Sequence, residues 1–245
     1  MFAPRATAFA ALLLFAASPS VSHGRVYLTW KFWAGEPLLD PVRFGKIIYQ
    51  AEVNVNGGRG ELRVVDASRD LDGTVELLRR SAGSDARLDS LLHFQGMALG
   101  LVSGRGRVLR AVALSIPPAD RCVLFLLEQS ESDARLSAKP PAGHLLTDVP
   151  AYAGSTPLSY LRNDDTHTAV ETSSAGSASP EAVLDFYDSA MPLDGWTPAF
   201  PRSRSAAGNT AVFLKGRDIC VIMAQPAGAP GESRITVLHK KAPRE

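Results

Sequence analysis

The sequence has little of what most functional signatures are built from. Two cysteines, Cys122 and Cys220, exclude a four-thiolate zinc site and a disulfide-dense scaffold. Neither sign of charge is in surplus: 26 Lys and Arg stand against 25 Asp and Glu, so the basic footprint of a general nucleic-acid binder is missing. Past the N-terminus no apolar run reaches the roughly 18 residues of a membrane span. There is no H-E-x-x-H pair, no G-x-S-x-G elbow, no P-loop and no C-x-x-C, so these zinc, hydrolase, nucleotide and thiol-redox signatures are excluded. No cofactor and no metal is expected. The 45% hydrophobic content excludes disorder throughout.

What is present starts with an export signal. Arg5 precedes the apolar stretch 7–17, and Ser20-Val21-Ser22 supplies small residues where a signal peptidase reads. Residues 1–23 are therefore expected to be a signal peptide, and the mature chain to be a soluble periplasmic protein. No cysteine lies near the cleavage site to carry a lipid.

The remainder reads as two related halves. Gly96-Met97 and Gly195-Trp196 each close an expected helix and open a strand, and Cys122 and Cys220 follow after 26 and 25 residues. In the second half, the β-branched stretch 166–172 predicts a strand. Ser179-Pro180-Glu181 predicts a helix start, with Val183, Phe186, Tyr187 and Ala190 on its apolar face. Strands at 211–214 and 219–224 flank a turn, and 234–239 is the last strand. In the first half, 47–55 and 61–65 form a hairpin around Asn56-Gly57-Gly58-Arg59-Gly60. A helix is expected over 71–80, broken near Gly83 and resumed over 85–94. Strands follow at 97–102, 107–114 and 122–128. The expected fold class is α+β: two tandem βαβββ-like domains, each an antiparallel sheet packed on one helix. Their bounds are 46–128 and 144–241, joined by a polar linker over 129–143. The stretch 24–45 precedes them as an arm holding Tyr27, Trp30, Phe32 and Trp33, read either as an edge strand that packs on the core or as an exposed partner-docking segment.

Val149-Pro150-Ala151-Tyr152-Ala153-Gly154-Ser155, then Ser179-Pro180-Glu181 with Val183-Leu184-Asp185-Phe186-Tyr187, then Gly195-Trp196, resembles a motif of uncharacterised exported bacterial proteins. The tandem layout is similar to the helix-grip domains of the C lipoprotein of the outer-membrane β-barrel assembly machine. The resemblance implies an accessory or scaffolding role and no catalytic residues; it rests on topology and about 50 residues of motif, and the lipid-anchor cysteine of that lipoprotein is missing.

Candidate chemistry is sparse. Asn163-Asp164-Asp165-Thr166-His167 clusters hard ligands but also reads as a turn. Gly57-Gly58-Arg59-Gly60 could face an anion but also fits a hairpin turn. Ser103 and Ser155 read as turn formers rather than nucleophiles. Cys122 and Cys220 are a possible disulfide or two buried thiols, and separate thiols are the favoured reading. The functional expectation is a non-enzymatic interaction module of an envelope or secretion system. Its partners would be other envelope proteins, met through Tyr27, Trp30, Phe32 and Trp33 or through open strand edges. The alternatives are a carrier of a small apolar ligand, or an enzyme with a non-contiguous site around Asp164, Asp165 and His167.

Overall fold

The computed structural model describes residues 36–81, 86–94, 96–116, 121–205, 208–227 and 231–243. The proposed signal peptide and the aromatics Tyr27, Trp30, Phe32 and Trp33 lie outside the described residues. No helix among the described residues is long and apolar enough to cross a membrane.

Two hairpin strands, β1 (Gly45–Val55) and β2 (Gly58–Ala67), lead to helix α1 (Leu71–Ser81). Strands β3 (Arg87–Phe94), β4 (Met97–Gly104), β5 (Arg107–Ser115) and β6 (Cys122–Ser130) follow, then the short helix α2 (Glu131–Ser137). Strands β7 (Thr156–Asn163) and β8 (Thr168–Ala175) lead to helix α3 (Pro180–Ala190). The chain ends with β9 (Thr197–Pro198), β10 (Ser203–Ser205), β11 (Gly208–Lys215), β12 (Asp218–Pro226) and β13 (Ser233–Lys240).

The fold class departs from the sequence expectation. The described residues are mostly antiparallel sheet, 52% strand against 19% helix, in one 13-stranded sheet with three α-helices among them. It is not a pair of α+β domains with each sheet packed on a helix. One physical cause is the stretch 85–94, expected as helix. Leu88 and Leu91 are three residues apart and both pack on the core. Here that spacing comes from a β-bulge between Leu88 and Ser90, whose extra residue turns a strand period of two into three. Gly96, at φ 78°, is then a hairpin turn residue rather than a helix cap.

The chain divides into two compact units. Of the described residues, the first unit holds 36–50 and 61–131 and the second holds 51–60 and 132–243. The stretch read as a linker contains the end of β6 and all of α2. Strand order repeats between the two runs: β1-β2-β6-β5-β4-β3 and β7-β8-β13-β12-β11-β10. In each, a hairpin is followed by a helix, and the last strand returns to lie beside the second. By that order β6 corresponds to β13 and β5 to β12. Cys122 in β6 and Cys220 in β12 are therefore not equivalent positions, contrary to the sequence reading.

Each unit has its own core. In the first, Leu71, Val75 and Leu78 of α1 cover Val65, Ala111, Leu124 and Leu126. Each such buried Leu or Val side chain contributes roughly 1.5–3 kcal/mol. In the second, Val183, Leu184 and Tyr187 of α3 meet Trp196, Phe213, Ile222 and Ile235. Helix α3 starts as expected: the Ser179 side chain accepts from the Ala182 N–H, and Pro180 occupies the first helical position.

Candidate functional site

The motif residues of the second half converge on one place. Before β7 the chain crosses α3 and β8 as a lead-in segment over 144–155. Tyr152 meets Phe186 edge-on, with centroids 5.1 Å apart, and Val149 joins the core. The Trp196 indole N–H donates to the Asp148 carbonyl at 3.3 Å. Gly195, at φ 81°, makes the left-handed turn that delivers Trp196 into the core, where it is 1% exposed.

Beneath this segment lies a Ser–His–Glu arrangement that the sequence reading missed. His144 Nδ1 is 2.5 Å from Glu171 Oε1, and His144 Nε2 is 3.2 Å from Ser155 Oγ. The order of contacts, serine to histidine to carboxylate, and the distances are those of an acyl-transfer triad. The remaining hydrogen bonds assign it another job. The Ser155 hydroxyl donates to the Tyr152 carbonyl at 2.7 Å, and the Ser155 carbonyl also lies 3.2 Å from Nε2. Glu171 accepts the backbone N–H groups of Leu145 and Leu146 at 2.7 and 3.2 Å. The hydroxyl is thus engaged with a carbonyl, and the carboxylate holds the lead-in segment to β8. The adjoining hollow, bounded by His144, Leu146, Val149, Glu171 and Tyr187, has a volume of about 10 Å³. That is the lower limit for one water. It falls far short of the several hundred Å³ a ligand carrier would need. Desolvation holds the Tyr187 phenol well above its ordinary value, so it is no general base at neutral pH.

A second buried carboxylate serves the first unit. Glu128, 3% exposed, sits 2.7 Å from Arg107 Nη1 and 3.3 Å from Arg63 Nη1. It also accepts the Leu38 backbone N–H at 3.2 Å, and Arg107 donates to the Glu36 carbonyl. Residues 36–39 are thereby tied to the sheet.

The other candidates resolve into structure. Asn163, Asp164, Asp165, Thr166 and His167 form the β7–β8 turn: Asn163 Oδ1 accepts from the Thr166 N–H at 3.1 Å, and His167 takes φ 51°. Among the described residues no group of three or more His, Cys, Asp or Glu side chains could hold a metal. The Asn56–Gly60 region faces α2, not an anion. The Arg59 N–H donates to Asp133 Oδ1 at 3.0 Å, and a Cβ on Gly58 would lie 2.2 Å from the Asp133 carbonyl. Cys122 and Cys220 are both free and buried, so the possible disulfide is not formed; each belongs to a different core. Thr74 Oγ1 lies 3.1 Å from Cys122 Sγ. Burial raises both thiols, Cys220 to about 12, which leaves them protonated and inert near neutral pH.

Four buried polar side-chain atoms among the described residues have no hydrogen-bond partner, on Ser81, Thr172, Arg234 and His239, and the histidine is the titratable one near neutral pH. His239 is 3% exposed and its Nε2 has no hydrogen-bond partner; Asp218 Oδ2 is 3.9 Å away, too far for one. Trp196 meets the ring edge-on at 5.4 Å. Desolvation, and then the Lys241 charge, lower its pKa, outweighing the opposing pull of Asp218 and Asp148. The imidazole is neutral, and the Asp218 contact is not an ion pair.

No family model matches the chain, and no solved structure matches it. A segment is 35% identical over 98 residues to the chromosome partition protein Smc of Desulfitobacterium hafniense (strain Y51). That similarity covers 38% of this chain and 7% of the Smc protein. A match to so small a part carries neither that protein's activity nor its partners to this chain.

Proposed function

We propose that this protein is a non-enzymatic interaction module of a cell-envelope or secretion system, acting in the periplasm. The observation that carries this reading is the edge strand β3. It closes one end of the strand order, runs for eight residues, and pairs only with β4. Its second row of backbone N–H and C=O groups has no partner strand among the described residues. Leu92 on this strand is 53% exposed. Such an edge is a template for an incoming strand. The corresponding edge of the second unit, β10, has three residues and offers no comparable length. The Ser–His–Glu group supports the same reading, because its atoms are committed to holding the chain.

The test is photo-crosslinking in intact cells from position 92 and, separately, from positions 30 and 33, with mass spectrometry of the adducts. The expected result is a reproducible adduct from position 92 with one envelope protein, lost when Ser90 on the same edge strand is replaced by Pro in an otherwise folded protein. No adduct from any of the three positions, beside a stable exported protein, overturns the reading.

A further inference from the structure

The last strand of the second unit ends beside a buried, unsatisfied ring. We propose that His239 is an acid-sensitive latch: protonation of its imidazole releases the end of the chain, residues 241–243, from the second unit. The device involves no partner and stands apart from the interaction reading above.

His239 is the penultimate residue of β13 and alternates onto the face that carries Ile235 and Val237 into the core. Its ring lies edge-on to Trp196, and no protein group satisfies Nε2. Beyond the strand, three ties hold the chain. The Lys241 N–H donates to the His167 carbonyl at 3.0 Å. The Ala242 N–H donates to Asp218 Oδ1 at 2.8 Å. The Lys241 ammonium pairs with the Asp148 carboxylate, and the carbonyl of that same Asp148 accepts the Trp196 indole N–H. The chain end, the lead-in segment and the start of β12 therefore meet around one ring. Both members of the Lys241–Asp148 pair are about half exposed, so that tie alone holds the end weakly.

A proton on this ring finds no matching acceptor. From β12 the ring faces Asp218, with Oδ2 3.9 Å from Nε2, and the Cys220 thiol, which burial keeps neutral. β11 contributes Lys215, whose ammonium is 5.9 Å from the Trp196 ring centroid. The chain end contributes Lys241, and the lead-in segment contributes Asp148. β8 sets Ala169 opposite the ring, and its next inward side chain, Glu171, is taken up by His144. From α3 comes Tyr187, also kept neutral by burial. Two ammonium groups thus stand against two carboxylates. Asp148 is already paired with Lys241, and Asp218 already accepts from Ala242. The desolvation of an imidazolium here is left uncompensated. The shortest way to water is outward, because only Lys240 separates His239 from the end of the strand. Opening the three ties frees the ring and ends the hold of Lys241 on the lead-in segment.

Hydrogen exchange on the purified native chain tests the latch. The N–H groups of Lys241 and Ala242 and the Trp196 indole N–H are followed at pH 7.5 and pH 5, and each rate is compared with that of an unstructured peptide at the same pH. The opened end takes up its proton at the ordinary histidine value of 6.5 and the closed end resists it, so opening becomes more frequent as pH falls below that value. The expected result is about tenfold or more loss of protection at all three groups at pH 5, with Ile222 in the middle of β12 unchanged. In His239→Gln, which takes up no proton, protection should be the same at both pH values. His167→Asn keeps the carbonyl that holds Lys241 and should respond as the native chain does. Unchanged protection in the native chain, an equal loss in His239→Gln, or a response abolished by His167→Asn overturns the proposal. If His239→Gln does not fold, the native ring decides: its NMR titration in the folded protein should have a midpoint below 6.5, and a midpoint at or above that value overturns the latch.

Discussion

Each unit fastens its lead-in segment to the sheet with one buried glutamate, and the two do so by different chemistry. Glu128 is faced by two guanidinium groups, Arg63 and Arg107, and accepts one backbone N–H. Glu171 is faced by one imidazole, His144, and accepts two backbone N–H groups. The glutamates also come from non-corresponding strands, β6 and β8. The strand order is repeated, but the fastening is not. A lead-in segment laid across a sheet has backbone donors that need an acceptor, and any strand that passes beneath can supply it. Topology constrains which strands are neighbours and leaves open which side chain solves this problem.

Breaking the charged fastening should have the largest effect. Glu128→Ala leaves the half-buried Arg107 without its carboxylate and the Leu38 N–H without an acceptor, and should cost about 3 kcal/mol in urea unfolding followed by circular dichroism. Glu128→Gln should restore little, because the missing quantity is charge. Glu171→Ala should cost less, about 2–3 kcal/mol, the penalty of stranding two backbone donors. There Gln should recover most of the loss, since its carbonyl oxygen still accepts both. Equal rescue at the two positions would show that charge does not distinguish them. Ser179→Ala, which removes the α3 cap, should cost about 1 kcal/mol and give the scale for an ordinary local contact.

The smallest effect expected is a pH dependence confined to the second unit. Burial lowers the His239 pKa below its ordinary 6.5, so the unfolded chain binds this proton more readily than the folded one. The neutral histidine's contribution is full above about 6.5 and is lost as pH falls through the lowered folded value. Asp148, lowered mainly by its hydrogen bond to Lys241, acts in a separate window below 3.8. The slope of stability between pH 7.5 and 5 should flatten in His239→Gln. An unchanged slope would assign it to other groups.

Much of the second half was readable because its signals are local. Ser179 and Pro180 cap a helix by their own chemistry, and Lys215-Gly216-Arg217-Asp218 spans the β11–β12 turn. The stretch 85–94 was not readable, because a bulged strand and a helix turn share the spacing of Leu88 and Leu91. The fastening glutamates left one faint signal each: a lone carboxylate after the apolar run Cys122 to Leu127, and another between Val170 and Thr172 in a β-branched strand. A charge at such a position implies a buried partner. Sequence alone could not name His144 or Arg63, which meet their carboxylates only through the sheet.

The return of the last strand beside the second has a consequence for how the chain comes to be folded. β2 waits for β6, through pairs such as Glu61 with Glu128, and β8 waits for β13, through pairs such as Thr168 with Lys240. The middle of each sheet is therefore finished by the residues that arrive last. Closing such long loops is slow, and a partly synthesised unit carries an unfilled central slot between β2 and β5, or between β8 and β12. Until β13 is made, the flanking strands β8 and β12 keep unpaired backbone edges, so the last eight-residue strand decides when the second run of strands is closed.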